Sequence, residues 1–108
     1  MTKTTTIINV TAEHIARGKR ESCSECPVAL AIAEVVREDI WIIVRRWVHL
    51  SWGYHQSIGH QSIGLPVDVV AWICDFDTRL NSPPMPPISF SINIRSDFLR
   101  ASSKEPVR

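Results

Sequence analysis

The residues best suited to chemistry are two cysteines in a C-x-x-C pattern, Cys23 and Cys26, with His14 upstream and Cys74 far downstream. A structural zinc ion takes four deprotonated ligands in a tetrahedron, and C-x-x-C commonly supplies two of them. These four residues are therefore a candidate zinc set, provided that the elements carrying them converge. The alternative is that the cysteines are unligated, with Cys74 a small buried residue beside the apolar stripe of a helix.

The same C-x-x-C pattern also suits a redox pair. A helix N-terminus lowers a thiol pKa, and Cys26 lies where a helix is predicted to begin. The local structure argues against this reading. In thiol oxidoreductases the C-x-x-C motif follows a strand and the helix begins within the motif, whereas here both cysteines belong to a polar loop, GKRESCSEC, that comes before the predicted helix. A related possibility is a reversible disulfide between the two cysteines that stabilises this loop without a catalytic role.

A second candidate site lies in the segment WIIVRRWVHLSW, residues 41–52, where tryptophan and arginine alternate with aliphatic residues. The odd-numbered positions share one face of a strand. Aromatic rings stack on bases and arginines hold phosphates, but tryptophan and arginine also anchor protein interfaces. Because the net charge is only +1, we favour a protein partner, and a homodimer is also compatible with such a face. The candidate contact residues are Trp41, Arg45, Arg46, Trp47 and His49.

The stretch HQSIGHQSIG, residues 55–64, contains the same five residues twice. A period of five places His55 and His60 on opposite faces of a continuous strand, and about 140° apart on a helix. Only a bent loop could bring the two imidazoles to one metal ion. The sequence predicts that the duplicated segment forms a flexible hairpin or loop in which Gly59 and Gly64 end turns, and which extends the tryptophan and arginine surface.

The sequence contains no recognisable catalytic motif. It lacks a phosphate-binding glycine loop, a G-x-S-x-G elbow and an H-E-x-x-H helix, and no nucleophile is evident beside a histidine. Asp75 and Asp77 would point in different directions on a helix. We therefore expect a protein that is not an enzyme and that needs no cofactor, zinc being the exception considered above.

Composition sets further limits. The chain has 108 residues, 44% hydrophobic and 21% charged, with 12 Lys and Arg against 11 Asp and Glu, which is typical of one globular domain. No apolar run reaches the roughly 18 residues of a membrane span, and no secretory signal is expected at the N-terminus. Three cysteines argue against a disulfide framework. We expect a cytoplasmic protein with reduced thiols.

The predicted helices follow capping and periodicity signals. Thr11 can cap a helix over AEHIAR, and Ser24 or Cys26 can cap a second helix with Pro27 in its first turn. A third helix is predicted from Pro66. The buried face of the second helix comprises Val28, Ala31, Ile32, Val35 and Val36, and the stripe of the third comprises Leu65, Val69, Trp72, Ile73, Phe76 and Leu80.

The predicted strands cover residues 7–10, 40–52 and 88–94, and the middle segment is either one long strand or two strands with a bend near Arg45 and Arg46. The linker NSPPMPP should be extended, and residues 102–108 should form a disordered tail. The order of elements predicts an α+β fold in one domain, residues 1–101. We expect three or four mainly antiparallel strands in one sheet, with about three helices on one face.

Two blocks, VTAEHIARGKRESCSECPVALAIAE at residues 10–34 and LPVDVVAWICDFD at residues 65–77, the latter followed by a proline-flanked ISFSI strand, resemble a group of small uncharacterised proteins of bacteriophages and prophages. The CPVALA segment is the most specific part, and no catalytic or binding residue is carried over from that group.

Small phage proteins without catalytic motifs commonly act by covering a surface of a host or phage assembly, as anti-CRISPR proteins do. The resemblance thus implies a non-catalytic protein that binds a host or phage protein or nucleoprotein complex in the host cytoplasm, as an anti-defence or host-takeover factor. The alternatives are a zinc-stabilised module that contacts nucleic acid and a thiol-redox protein.

Overall fold

The structure is a computed structural model that describes residues 2–52, 59–78 and 85–100. Five strands and three helices make up this part of the chain, and a short 3-10 turn, Ser96–Phe98, follows the last strand. The predicted α+β class is confirmed. The elements in chain order are β1 (Lys3–Val10), α1 (Ala12–Arg17), α2 (Pro27–Ala33), β2 (Ile40–Val44), β3 (Trp47–Trp52), β4 (His60–Gly64), α3 (Val67–Thr78) and β5 (Ile88–Arg95).

The strands form two antiparallel sheets where the sequence predicted one. β1 pairs with β5 along its whole length, from Lys3 opposite Arg95 to Val10 opposite Ile88. β2, β3 and β4 form the second sheet in sequential order. The two sheets are joined by a side chain: the buried Gln61 amide donates to the Asn93 carbonyl at 3.1 Å and accepts from the Arg95 amide at 2.9 Å. The Gln61 side chain thus forms the hydrogen bonds to β5 that a neighbouring strand would otherwise form with its backbone.

The inward face of β2 and β3 is the predicted one. Ile40, Val44, Val48 and Leu50 are all buried, while Arg45 and Arg46 connect the two strands. The predicted bend is therefore a tight hairpin connection. These strands join one hydrophobic core with residues from every other element; its most deeply buried members include Ile8, Val28, Ile32, Ile94 and Phe98.

The first two helices begin at the predicted caps. The Thr11 hydroxyl accepts from the His14 amide at 3.4 Å, and the His14 ring accepts from the Thr11 amide at 3.0 Å. The Cys26 sulfur caps α2 by accepting from the Ala29 amide at 3.4 Å, with Pro27 as the first helical residue.

The second helix is shorter than predicted and stops at Ala33. The Arg100 guanidinium donates to the carbonyls of Ala33 and Glu34 at 3.2 and 3.1 Å. In a longer helix these carbonyls would accept from backbone amides of the next turn. Val36 instead forms an isolated bridge with Leu99. A tertiary contact from the far end of the chain therefore ends this helix.

The third helix buries Val69, Trp72, Ile73 and Phe76, as its apolar stripe predicts. The Trp72 indole donates to the Pro86 carbonyl at 2.9 Å, which ties α3 to the chain before β5. The predicted position of Leu80, most of the proline linker and the predicted tail lie outside the described residues.

The second HQSIG copy, predicted to lie in a flexible hairpin or loop, is strand β4 and pairs with β3. Its Gln61 and Ile63 turn toward the interior, and its His60, Ser62 and Gly64 are exposed. Gly59 precedes it in a position that only glycine fits, since a Cβ there would lie 2.6 Å from the Trp52 ring. Apart from Gly59, the first copy lies outside the described residues.

Candidate functional site

The outward face of β2, β3 and β4 carries most of the residues that the sequence singled out for partner binding. Pairing places Trp41 opposite Ser51, His49 opposite Ser62 and Trp47 opposite Gly64. Residues that are directly opposite point to the same side of a sheet. We call this surface the tryptophan face; it comprises Trp41, Ile43, Trp47, His49, Ser51, His60, Ser62 and Gly64.

Both tryptophans of this face leave about half of their surface uncovered. Trp41 is 49% exposed and Trp47 is 53% exposed. The Trp47 ring extends over Gly64, where a Cβ would stand 3.6 Å from it, an ordinary contact distance. Among the described residues, the other large hydrophobic side chains with comparable exposure are Ile7 and Val67, which lie on β1 and at the start of α3.

On the β3 and β4 part of the tryptophan face, two histidines share one hydroxyl group. The Ser62 Oγ lies 2.9 Å from Nδ1 of His49 and 3.2 Å from Nε2 of His60. The two imidazole rings are stacked, with centroids 5.9 Å apart and planes inclined by 23°. The cluster therefore joins β3 to β4 through side chains as well as through the backbone.

This cluster is not predicted from the sequence, because it forms between two strands and not within the repeat. His60 meets His49 of the neighbouring strand, and a serine does lie beside both histidines. The available signal was a pair of H-x-S patterns, His49-Leu-Ser51 and His60-Gln-Ser62. On adjacent antiparallel strands such patterns bring each histidine opposite the serine of the other.

The two predicted arginines lie at the hairpin end of the tryptophan face. Arg45 and Arg46 are exposed, and both also line a cavity of about 350 Å³. Cys23, Cys74 and Asp77 line the same cavity. The hairpin connection is thus shared between the tryptophan face and this cavity.

The predicted zinc set is not brought together. His14 is buried and uses both ring nitrogens: Nδ1 accepts from the Thr11 amide, so Nε2 carries the proton and donates to a Glu34 carboxylate oxygen at 2.9 Å. Cys26 is also buried, and its sulfur caps α2. In the part of the chain that the structure describes, no group of three or more His, Cys, Asp or Glu side chains could hold a metal ion.

The three thiols differ in surroundings. Burial raises the pKa of the Cys26 thiol, which opposes the activated thiol of a redox pair. Cys74, expected as a buried residue, is exposed, because it lies one position past the buried stripe of α3 and faces solvent. Cys23 is partly exposed in the cavity. The structure therefore groups Cys23 with Cys74 and sets Cys26 apart.

The contact between Ser62 and two histidines has the components of a nucleophile and base pair, but it lies on an open sheet face. Acyl-transfer sites also require backbone donors aimed at an oxyanion. The neighbouring strands β3 and β4 are paired by their backbones, and the cavity described above is lined by other residues.

Protein-family models, curated proteins and solved structures contain no match to this chain. Of the helices that the structure describes, none has the length and apolar character needed to cross a membrane.

Proposed function

We propose that the protein is non-catalytic and acts by binding a protein partner through the tryptophan face. The observation that carries the proposal is the presence of two half-exposed tryptophans, Trp41 and Trp47, on one side of a three-stranded sheet. Covering the exposed half of one indole removes on the order of 100 Å² of apolar surface from water, which is about 2–3 kcal/mol per ring. A partner that covers these rings gains this free energy on binding.

The charge on this surface indicates the chemistry of the partner. Arg45 and Arg46 lie at one end of the tryptophan face, and a bidentate guanidinium is best matched by carboxylates. The chain as a whole carries a net charge of only +1, so it has no broad field that would attract a nucleic-acid backbone. We infer a protein surface with an apolar centre and acidic residues at its edge.

The biological setting proposed here is a phage-encoded protein that binds a host or phage protein complex in the cytoplasm, as an anti-defence or host-takeover factor. Support comes from the resemblance of residues 10–34 and 65–77 to small phage proteins. The tryptophan face supplies the kind of compact, rigid surface that such a mechanism needs.

The test is a binding measurement with a purified partner. Affinity capture with the full chain and mass spectrometry identifies the candidate, and calorimetric titration of the purified pair gives the affinity. We expect Trp47→Ala and Trp41→Ala each to weaken binding by about 30-fold, as truncation of a central aromatic contact does. Charge reversal at Arg45 and Arg46 should mainly slow association and change its salt dependence.

Val67→Ala is the matched control, because Val67 is 84% exposed but lies on α3 and not on the tryptophan face. It should leave the affinity unchanged. Equal losses for Val67→Ala and Trp47→Ala, or no loss for either tryptophan, would contradict the proposal. Sedimentation analysis provides a separate check: self-association that Trp47→Ala abolishes would identify the partner as a second copy of the chain.

A further inference from the structure

The histidine pair on the tryptophan face has a geometry that partner binding does not explain. Nδ1 of His49 and Nε2 of His60 both point at the Ser62 oxygen, at 2.9 and 3.2 Å. A hydroxyl carries one proton, so it donates to one ring and accepts from the other. Two imidazole nitrogens from adjacent strands therefore already converge on one point in space.

We propose that His49 and His60 are the two protein ligands of a divalent transition-metal ion of the zinc class. Imidazole nitrogen suits zinc, copper and nickel, whereas calcium and magnesium prefer oxygen ligands. A zinc–nitrogen bond is about 2.0–2.1 Å long. An ion bound by both nitrogens takes the place of the Ser62 oxygen. The serine side chain rotates away, each ring shifts by about 1 Å, and the imidazole that donates to the hydroxyl carries its proton on its other nitrogen instead.

The strands hold the two ligands in place. His49 lies directly opposite Ser62, and His60 lies directly opposite Ser51, so the two histidines occupy a diagonal of one sheet face. Their rings are stacked with centroids 5.9 Å apart, so part of the ordering that metal binding requires is already present.

The site is open, since the protein supplies two ligands and the remaining positions are left to water or to a donor from a partner. It is also distinct from the two zinc arrangements considered from the sequence. It uses His49 and not His55 as the companion of His60, and it includes neither His14 nor any cysteine. This inference goes beyond the proposed function, because the chain would bind the metal ion without a protein partner.

The experiment is a titration of the full chain with zinc ion alone, followed by calorimetry and by NMR of the histidine ring nitrogens. Cys23→Ser with Cys74→Ser serves as the background, so that accessible thiolates do not compete. We expect His49→Gln and His60→Gln each to weaken zinc binding at least about tenfold, since even a lost outer-shell contact has that effect. The ring nitrogens that shift in the NMR spectrum should be those of His49 and His60.

His55→Gln is the matched control, because His55 occupies the same position in the first HQSIG copy. It should leave zinc binding unchanged. The proposal is overturned if zinc fails to bind, if His55→Gln weakens binding as much as His60→Gln, or if binding survives both His49→Gln and His60→Gln. Inorganic phosphate is the counter-probe: shifts of the same rings with phosphate but not with zinc would assign the cluster to an anion instead.

The outcomes are separable from those of the proposed function. Partner binding is measured in the presence of a chelator, and zinc binding is measured without a partner. Loss of partner binding in Trp47→Ala with unchanged zinc affinity supports two independent properties of one face. Thermal melts of each histidine variant confirm that the fold is retained, which we expect because His60 is exposed and His49 is partly exposed.

Discussion

Replacement of Gln61 by alanine tests the side chain that joins the two sheets. The Gln61 amide forms two hydrogen bonds with the backbone of β5, to the Asn93 carbonyl and from the Arg95 amide. The residue is only 8% exposed. Gln61→Ala removes both bonds, leaves two backbone groups without this partner, and opens a gap between β4 and β5.

The magnitude follows from the two bonds. A buried backbone group that loses its partner costs about 1–3 kcal/mol. Asn93 is exposed and Arg95 is partly exposed, so water can replace part of each lost bond, and the lower half of that range applies. We expect Gln61→Ala to lower the free energy of unfolding by about 2–3 kcal/mol in total, including the lost packing.

Urea denaturation at neutral pH measures this change. With a urea dependence of about 1–3 kcal/mol per molar for a chain of this size, the midpoint should fall by roughly 1 M. Gln56→Ala is the matched control, since Gln56 is the same residue in the first HQSIG copy, and its midpoint should stay close to that of the unmodified chain. A shift below about 0.5 kcal/mol for Gln61→Ala, or equal shifts for both variants, would refute the role of Gln61 as the connection between the sheets.

Three further predictions concern individual residues. Gly59→Ala should lower the free energy of unfolding by about 1–3 kcal/mol, because the new Cβ would lie 2.6 Å from the Trp52 indole. Gly64→Ala should change the free energy of unfolding by less than about 0.5 kcal/mol, and chemical denaturation of the two variants tests the difference. In the folded protein a thiol-specific chromogenic reagent should modify Cys74 readily and the buried Cys26 only on unfolding, and early modification of Cys26 would contradict its burial. The Arg95 guanidinium holds the pKa of Asp97 below its usual value, so the stabilisation is present at neutral pH and is lost as the pH falls below about 3.9. The stability difference between Asp97→Asn and the unmodified chain should therefore be larger at pH 7 than at low pH, and an equal difference at both would contradict this.

Local signals in the sequence were sufficient for most of the fold. Thr11 and Cys26 cap their helices as predicted because the cap depends on residues within one helical turn. The buried stripe of α3 and the inward face of β2 and β3 follow from periodicity alone. Each of these predictions needed only neighbours in the sequence.

The errors arise where a distant residue decides the outcome. α2 ends early because Arg100 occupies its last carbonyls, and this contact has no local signature. The division into two sheets depends on Gln61, whose partners lie more than thirty residues away. The error at Cys74 is of another kind, because its position on α3, next to the buried stripe, is enough to leave it exposed.

The same distinction between local signals and long-range contacts applies to the candidate site. The tryptophan face could be predicted, since alternation alone places Trp41, Trp47 and His49 on one side of the hairpin. The histidine cluster could not, because it requires the register between β3 and β4 and the knowledge that one HQSIG copy is a strand. A repeat raises a particular difficulty here: two identical segments have identical propensities, and only their surroundings can distinguish them.

Those surroundings explain why the second copy forms β4. A shift of the chain by five residues would place the first copy in the same strand, with the same residues facing in and out. It would also place Tyr54 where Gly59 now lies, and any Cβ at that position comes within 2.6 Å of the Trp52 ring. At the other end it would replace Leu65, whose side chain packs against the core, by a histidine. The flanking residues thus fix a register that the repeat itself leaves ambiguous, and for the same reason His55 cannot take the place of His60 when His60 is replaced.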